Sequence, residues 1–257
     1  MVNGFSHPLN KGLTAEFAKG NPVLVAAGNV EMGLRSQLER VSDISAFVPR
    51  EHEFRIYFIG DSITRHGTNQ DLLERLKWDH ESGMAASSED KDFVHLVATG
   101  ISKAVGKKTC IFFGNGGDAA NAMKGMADAK TYQPHLVIVQ LGEHVPADEN
   151  SQKTFSEYET LLDGLMALPS KPMIICTGSW SPQKGVSSYQ GHEKRVNGIQ
   201  KDICRGKGVA FADIEKYALD PSCSGTGGSD GVKWHPNDNG QAGYAKEILQ
   251  LFERRGK

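Results

Sequence analysis

A serine at position 62 stands where an apolar segment of the sequence stops. Residues 56–59 are Ile, Tyr, Phe and Ile, and Gly60, Asp61 and Ser62 follow them directly. The apolar run favours a buried strand, and the turn after such a strand presents its side chains where ligands bind in open α/β folds. Ser62 is therefore a candidate nucleophile, provided that a base accepts its proton. The alternative is a plain turn or helix N-cap serine.

The candidate base lies far downstream, in the segment Asp-Gly-Val-Lys-Trp-His-Pro-Asn-Asp at residues 230–238. An imidazole titrates close to neutral pH, so His235 can accept a proton from a hydroxyl group and return it later. Taken alone, His235 would more often be an ordinary loop histidine. Its position before Pro-Asn-Asp and a closing helix favours a catalytic role.

Strands and helices alternate along the sequence from residue 55 onward. Continuous apolar strands that alternate with helices indicate a mainly parallel sheet covered on both faces. We therefore predict an α/β fold, a three-layer α/β/α sandwich with a five-stranded sheet of the flavodoxin-like kind. The predicted strands cover residues 55–59, 109–113, 136–141, 172–177 and 209–212. The predicted helices cover residues 91–105, 119–128, 154–168, 192–207 and 241–254.

The length of 257 residues suits one large domain with an extension. We expect residues 51–257 to form the catalytic domain and residues 1–50 to form an extension packed on it. Within the extension, residues 23–26 are predicted as a strand and residues 31–39 as a short helix. Residues 220–233 are rich in serine and glycine, and we expect them to form a long loop that delivers His235.

Composition excludes several classes of function. A formal net charge of −2 gives no reason to expect nucleic acid or an anionic membrane as a partner. The longest apolar runs have the length of strands and are too short to span a bilayer. No Cys-x-x-Cys or His-x-x-x-His spacing indicates a metal site, so we expect neither a metal nor another cofactor.

The sequence leaves the cellular compartment open. The first residues lack a basic region followed by an apolar core, so no signal peptide is predicted, although a secreted or periplasmic chain with its signal removed would look the same. Cys110 and Cys176 lie in apolar strand-like runs and are interpreted as small buried residues. Cys204 and Cys223 could pair across a short segment.

Three segments fall after successive predicted strands: residues 60–62, residues 114–118 (Gly-Asn-Gly-Gly-Asp) and residues 142–144 (Gly-Glu-His). Together with His235-Pro-Asn-Asp near the end, their order resembles the SGNH (GDSL-type) hydrolase family over roughly residues 55–254. The resemblance implies that Ser62 is the nucleophile and that His235 is the general base and then the general acid. It also implies that the backbone N–H groups of Ser62 and Gly117 form an oxyanion hole, where glycine allows close approach to the substrate.

The sequence departs from the family pattern at two positions. The family has an asparagine as third oxyanion donor, and His144 stands there; an imidazole donates only in the right tautomer or when protonated. The family also has an aspartate three residues before the histidine, and Val232 occupies that position. Either the loop bulges so that Asp230 reaches His235, or a backbone carbonyl orients the imidazole instead.

Six residues are expected to bind substrate: Asp61, Trp78, His80, Asn115, Glu143 and Trp234. For Asp61 the structural alternative is a turn former, because its side chain can accept from local backbone N–H groups. Trp78, His80, Trp180 and Trp234 could together form a wall on which a sugar stacks. For each of these taken singly, core packing is the alternative. Residues 78–87 also resemble a bacterial subgroup of the family associated with glycan-directed esterases.

We expect an ester hydrolase that removes acetyl or another small acyl group from a carbohydrate, so the partner is a small-molecule or glycan ester. An O-acyltransferase acting on a glycan would use the same residues. A catalytically impaired carbohydrate-binding homologue is the third reading, motivated by the altered third donor and the displaced acid. The presence of both Ser62 and His235 argues against it. The oligomeric state stays open.

Overall fold

A computed structural model describes residues 38–255, apart from residues 77, 149, 183–186 and 228. The strand predicted at residues 23–26 lies outside the described residues. The division into an extension and a catalytic domain stays a prediction for the same reason.

The core of the protein is a six-stranded parallel sheet. Its spatial order is β1-β3-β2-β4-β5-β6. The strands are β1 (Leu38–Arg40), β2 (Glu53–Gly60), β3 (Lys108–Phe113), β4 (Leu136–Gln140), β5 (Met173–Thr177) and β6 (Ala210–Ala212). The predicted α/β sandwich with a mainly parallel sheet is confirmed.

The strand count differs from the prediction because β1 pairs with β3 at the edge of the sheet. Its sequence, Leu-Glu-Arg, carries two charged residues and has no apolar run, so it gives no sequence signal for a strand. The short helix predicted at residues 31–39 is wrong for its described residues, Leu38 and Glu39, which belong to this strand.

Helices cover both faces of the sheet. They are α1 (Gln70–Leu76), α2 (Phe93–Val105), α3 (Ala119–Lys124), α4 (Met126–Tyr132), α5 (Ser151–Met166), α6 (Ser187–Gly206), α7 (Glu215–Ala218), α8 (Asp230–Trp234) and α9 (Asp238–Arg255). Single 3₁₀ turns form at Glu89–Lys91 and Pro221–Cys223. The helix predicted over residues 119–128 is two helices, which meet at Gly125. The loop predicted over residues 220–233 holds a 3₁₀ turn and most of α8.

Alternation along β2 builds the two apolar layers. Ile56 and Phe58 face the core beneath α2 and α9, whereas Tyr57 and Ile59 face the core beneath α4 and α5. Successive side chains of a strand point to opposite faces, so a run that is apolar at every position requires cover on both sides.

Strand order decides which loops meet. Because β2 lies between β3 and β4, the segments that follow these three strands are neighbours at one edge of the sheet. These segments carry Ser62, Gly117 and His144. The helix α9 packs on α2 and on the 3₁₀ turn Pro221–Cys223, which places the residues just before α9 at the same edge.

The four cysteines are free and buried, so the pairing of Cys204 with Cys223 does not occur. Among the described residues, no helix is long and apolar enough to cross a membrane.

Candidate active site

Ser62 lies in a tight turn directly after β2. The carbonyl oxygen of Asp61 accepts hydrogen bonds from the backbone N–H groups of Thr64 (3.0 Å) and Arg65 (2.9 Å). The Asp61 carboxylate accepts from the N–H of Ile63 at 3.1 Å. The Asp61 side chain is therefore the turn former that the sequence analysis gave as its alternative. The turn holds Ser62 partly exposed at the sheet edge.

The Ser62 hydroxyl oxygen lies 2.7 Å from Nε2 of His235, although 173 residues separate the two in sequence. On the other side of the ring, Nδ1 of His235 lies 2.6 Å from the carbonyl oxygen of Gly231. A carbonyl can only accept, so this contact assigns the proton to Nδ1 and leaves the lone pair of Nε2 facing Ser62. The imidazole is thereby held in the tautomer that can act as a base toward the hydroxyl.

The Gly231 carbonyl is available because residues 230–234 form the short helix α8. The Ser229 hydroxyl accepts from the N–H of Val232 at the start of the helix, and His235 follows its last residue, Trp234, as the C-cap. The N–H of His235 also donates to the Gly231 carbonyl, at 3.1 Å, so one oxygen fixes both the backbone and the ring of His235.

Asp230 is not placed to orient His235. Its side chain is fully exposed, and its carboxylate lies 3.2 Å from Nζ of Lys233. In the first turn of α8, this side chain projects into solvent while the carbonyl of the next residue accepts from the imidazole. Of the two alternatives that the sequence left open, the structure shows the second: the backbone carbonyl of Gly231 orients the imidazole, and Asp230 does not contact it.

Burial lowers the pKa of His235, since desolvation disfavours the charged imidazole. The Gly231 carbonyl and the Asp61 carboxylate oppose that shift of the pKa, whereas the charges of His66 and His144 add to it. The sequence analysis missed His66, which no motif marks. Its ring meets Trp78 edge to face, with the ring centroids 5.8 Å apart.

Residues 114–118, which we call the glycine segment, follow β3 and pack tightly against the turn that carries Ser62. A Cβ atom on Gly116 would lie 1.4 Å from the carbonyl oxygen of Gly60, so only glycine fits there. Gly117 has φ +90°, a conformation that favours glycine. The side chain of Asn121, which the sequence analysis also missed, donates to the Gly116 carbonyl at 2.8 Å. Asn115 is exposed beside it and donates to the Asn121 carbonyl at 3.4 Å.

The backbone N–H groups of Ser62 and Gly117 have no hydrogen-bond acceptor within the part of the chain that the structure describes. Both belong to segments that follow adjacent strands, β2 and β3. Such free donors at the edge of a site are what a developing oxyanion requires.

Glu143 and His144 follow β4 but point in different directions. The His144 side chain is 62% exposed, and its Nε2 lies 3.4 Å from the Asp61 carboxylate. Glu143 is buried, and its carboxylate accepts from Nε2 of Gln140 (2.9 Å) and from the N–H of Trp180 (2.6 Å). The expectation that Glu143 binds substrate is therefore not met, because its carboxylate is committed to protein donors.

The predicted aromatic wall is not formed as a unit. Trp180 and Trp78 are buried core residues, so packing is the correct interpretation for both. Trp234 is half-buried, and its ring centroid lies 5.0 Å from that of His235. His80 is partly buried against Trp78, at a centroid distance of 4.3 Å.

Two cavities of the protein differ greatly in size. A small one, about 20 Å³, lies beside Gly117 and His144 and is also lined by Leu141, Val145 and Phe155. A larger open groove of about 850 Å³ is lined by polar residues such as His80 and His95 and by Leu38 and Leu96. Neither Ser62 nor His235 lines either of these cavities, and the small one adjoins the pair through Gly117 and His144.

One group among the described residues has the geometry to hold a metal ion: Glu39, Glu53 and Cys110, whose ligand atoms lie within 4.8 Å of one another. They lie toward the amino-terminal ends of the strands, away from Ser62. Lys108 pairs with Glu39, and Arg50 pairs with Glu53 at 2.9 Å. These two cations already compensate the carboxylates.

The sequence matches the GDSL-like lipase/acylhydrolase family over residues 58–242. The chain belongs to this family. The resemblance to SGNH (GDSL-type) hydrolases is thereby confirmed. No curated protein matches the sequence.

Solved structures show the same fold at low identity. The lipase/acylhydrolase from Enterococcus faecalis has a TM-score of 0.56 and 14% identity, covering 79% of this chain and 96% of that one. A catalytic mutant of an acetylxylan esterase from Geobacillus stearothermophilus has a TM-score of 0.55 and 14% identity, covering 77% and 93%. A two-domain esterase active on acetylated mannans has a TM-score of 0.51 and 14% identity, and the match covers 89% of this chain but only 52% of that longer one.

Proposed function

We propose that this protein is a serine ester hydrolase that removes acetyl or another small acyl group from a carbohydrate. The observation that carries the proposal is the 2.7 Å contact between Ser62 Oγ and His235 Nε2, with Nδ1 of the same ring held by the Gly231 carbonyl. This geometry pairs a hydroxyl with a base whose tautomer is fixed, which is the requirement for nucleophilic acyl transfer.

In this mechanism Ser62 Oγ attacks the ester carbonyl carbon while His235 Nε2 takes the hydroxyl proton. The N–H groups of Ser62 and Gly117 donate to the oxyanion of the tetrahedral intermediate. His235 then returns its proton to the departing sugar oxygen, leaving an acyl-serine. Water, deprotonated by His235, attacks the acyl carbon and releases the carboxylic acid and free Ser62.

The Gly231 carbonyl takes the part that a carboxylate plays in a triad. It fixes the tautomer and the ring plane, and its partial negative charge favours the imidazolium that forms during attack. A neutral carbonyl stabilises that cation less than an ionised acid does. We therefore expect a working but modest catalyst.

The size of the cavity beside Gly117 favours a short acyl group. Its volume of about 20 Å³ is room for one water-sized group, such as the methyl of an acetyl ester.

The carbohydrate part of the proposal rests on the neighbouring structures and on the polar mouth of the site. Two of those neighbours are an acetylxylan esterase and an esterase active on acetylated mannans. In this protein His144 and Asn115 are exposed beside the glycine segment, where hydroxyl groups of a sugar can bond to them.

The deciding experiment compares wild type with Ser62→Ala on p-nitrophenyl acetate, butyrate and octanoate, and on acetylated xylan and mannan with detection of free acetate. We expect wild type to prefer acetate, and Ser62→Ala to lose ~10⁴-fold or more in kcat, because nucleophile and base act as a unit. Wild type should be labelled by a fluorophosphonate probe and Ser62→Ala should not.

The outcomes separate the competing functions. Absence of both turnover and labelling in wild type favours the impaired carbohydrate-binding homologue. Acyl transfer to an added acceptor sugar at the expense of free acetate favours the acyltransferase. Activity of Ser62→Ala within tenfold of wild type would remove Ser62 from the mechanism.

A further inference from the structure

A continuous series of hydrogen bonds joins the turn that carries Ser62 to the turn that carries His235. We call it the polar chain; its members are Thr64, Gln140, Glu143, Trp180 and Trp234. It begins where the Thr64 hydroxyl donates to Oε1 of Gln140 at 2.8 Å. The N–H of Asp61, directly before Ser62, points at the same oxygen from 3.4 Å.

The middle of the polar chain is the carboxylate of Glu143. Its Oε2 accepts from Nε2 of Gln140 at 2.9 Å, and its Oε1 accepts from the N–H of Trp180 at 2.6 Å. Gln140 and Trp180 are completely buried, and Glu143 is 7% exposed. A carboxylate in such surroundings is stable only while its oxygens have donors, so these bonds constrain all three residues.

The polar chain ends beside the base. Nε1 of Trp180 donates to the carbonyl oxygen of Trp234 at 2.6 Å, and His235 is the next residue. The Trp180 ring fills the space under the final helix, where a Cβ on Gly240 would lie 3.0 Å from it. A shift of Trp180 therefore moves the backbone that carries the imidazole.

We propose that Glu143 is a positioning residue for catalysis. It keeps the Ser62 hydroxyl and the His235 ring at their mutual distance, through Gln140 on one side and Trp180 on the other. The proposal rests on the proposed esterase function. Glu143 acts through other residues and does not touch the substrate. The relative position of nucleophile and base matters because a displacement of about 1 Å between them can lower a rate by ~10²-fold.

The direction of every bond in the polar chain is fixed, which makes an isosteric test possible. Oε1 of Gln140 must face the donors at Asp61 and Thr64, so its amide nitrogen faces residue 143. The two donors of the polar chain at residue 143, Nε2 of Gln140 and the N–H of Trp180, therefore both require acceptors. Glu143→Gln supplies one acceptor and one donor, so one contact becomes donor against donor. If the Gln140 amide rotates to relieve it, the contact with the Asp61 N–H is lost instead.

Exchanging the two side chains restores the pattern. In the double variant Gln140→Glu/Glu143→Gln, the carboxylate at 140 accepts from Asp61, Thr64 and the new amide at 143. The amide oxygen at 143 accepts from Trp180. Gln140→Glu alone brings two carboxylates together. A double-mutant cycle therefore isolates the pairing of the two residues from the effect of either change.

The matched control is Glu53→Gln, a second buried carboxylate changed to its amide. Glu53 is completely buried at the amino-terminal end of β2, away from the polar chain. This variant measures what the loss of a buried charge does to the stability of the fold while the relative position of Ser62 and His235 is unchanged.

The experiment measures kcat and KM for p-nitrophenyl acetate, the rate of fluorophosphonate labelling and the melting temperature of all five proteins. We expect Glu143→Gln to lower kcat and the labelling rate by about tenfold or more with little change in KM. We expect the double variant to recover to within about threefold of wild type. Glu53→Gln should lower only the melting temperature.

Turnover of Glu143→Gln within twofold of wild type, or a double variant no faster than the slower single variant, would overturn the proposal. So would a loss in kcat of equal size for Glu53→Gln. Should Glu143→Gln not fold, Thr64→Val removes the first bond of the polar chain and must lower kcat for the proposal to stand. If the proposed function fails, the result is different, because wild type itself would show neither turnover nor labelling. The melting temperatures of the double-mutant cycle would still show whether residues 140 and 143 are paired.

Discussion

The Nδ1 atom of His235 lies 2.6 Å from the carbonyl oxygen of Gly231, four residues earlier in the chain. This contact replaces the aspartate that orients the histidine in the family pattern. It arises inside a single short helix, so the orientation of the base is set by local backbone geometry. The Asp230 carboxylate, one residue further back, points into solvent.

The first prediction concerns this replacement. Asp230→Asn should change kcat by less than about threefold, because the carboxylate neither contacts the imidazole nor is desolvated; an aspartate that orients a catalytic histidine gives a loss of ~10⁴-fold when changed to asparagine. Steady-state kinetics on p-nitrophenyl acetate measure this. Lys233→Met, which removes the ion-pair partner of Asp230, is the control and should be equally mild. A loss of a hundredfold in Asp230→Asn alone would show that the acid reaches His235 during turnover.

The second prediction concerns pH. Burial lowers the pKa of His235 from its usual 6.5. The neutral imidazole is the active form, so kcat/KM should rise with pH through a midpoint below 6.5 and then level off. His144 adds to the lowering of that pKa, so His144→Asn should move the midpoint upward. A midpoint above 6.5 in wild type would contradict the assignment of His235 as the base.

The lowered pKa of His235 also makes the free energy of unfolding depend on pH. The folded state holds His235 with a pKa below that of the unfolded chain, so above pH 6.5 both states are neutral at this residue. As the pH falls from 6.5 through the folded pKa, the unfolded chain takes up the proton first, and the free energy of unfolding decreases. The variant His235→Gln should lose less stability over that range than wild type does, as followed by urea unfolding.

The third prediction concerns His144. Its Nε2 faces Asp61, and most of its side chain is in water. We expect His144→Ala to lower kcat by about tenfold to a hundredfold, which is below the ~10²–10³-fold that loss of a buried oxyanion donor produces. His144→Asn should preserve or raise kcat, because an amide donates at every pH. If His144→Ala turns over like wild type, the oxyanion hole has only backbone donors.

The fourth prediction separates two adjacent glycines. Gly116→Ala places a Cβ 1.4 Å from the Gly60 carbonyl, so the glycine segment must leave the nucleophile turn, and both kcat and the melting temperature should fall sharply. Gly117→Ala meets no atom within 4 Å, but its φ of +90° is unfavourable for alanine and should destabilise by about 1–2 kcal/mol. Thermal melts and kinetics of the two variants, made side by side, test this. Equal stability of Gly116→Ala and wild type would contradict the close packing of Gly116 on the Gly60 carbonyl.

Local sequence patterns determined the parts of this protein that depend on neighbouring residues. The apolar run at residues 56–59 specifies a strand covered on both faces, and the glycines and serine after it specify the turn. The same holds for the glycine segment at 114–118 and for the strands that precede residues 142 and 178. Hydrophobic periodicity and turn chemistry act within a few residues, so they can be read without knowledge of the rest of the chain.

Only the tertiary structure decided which partner each polar side chain takes. Glu143 and His144 are adjacent and equally polar in sequence, yet one is buried among donors from Gln140 and Trp180 and the other faces solvent. The edge strand Leu38–Arg40 exists because β3 offers unpaired backbone groups, a condition that its own residues do not reveal. Long-range hydrogen bonds join residues separated by 76 and 54 positions, as in Thr64–Gln140 and Trp180–Trp234. Burial makes such bonds obligatory, and burial is a property of the folded chain as a whole.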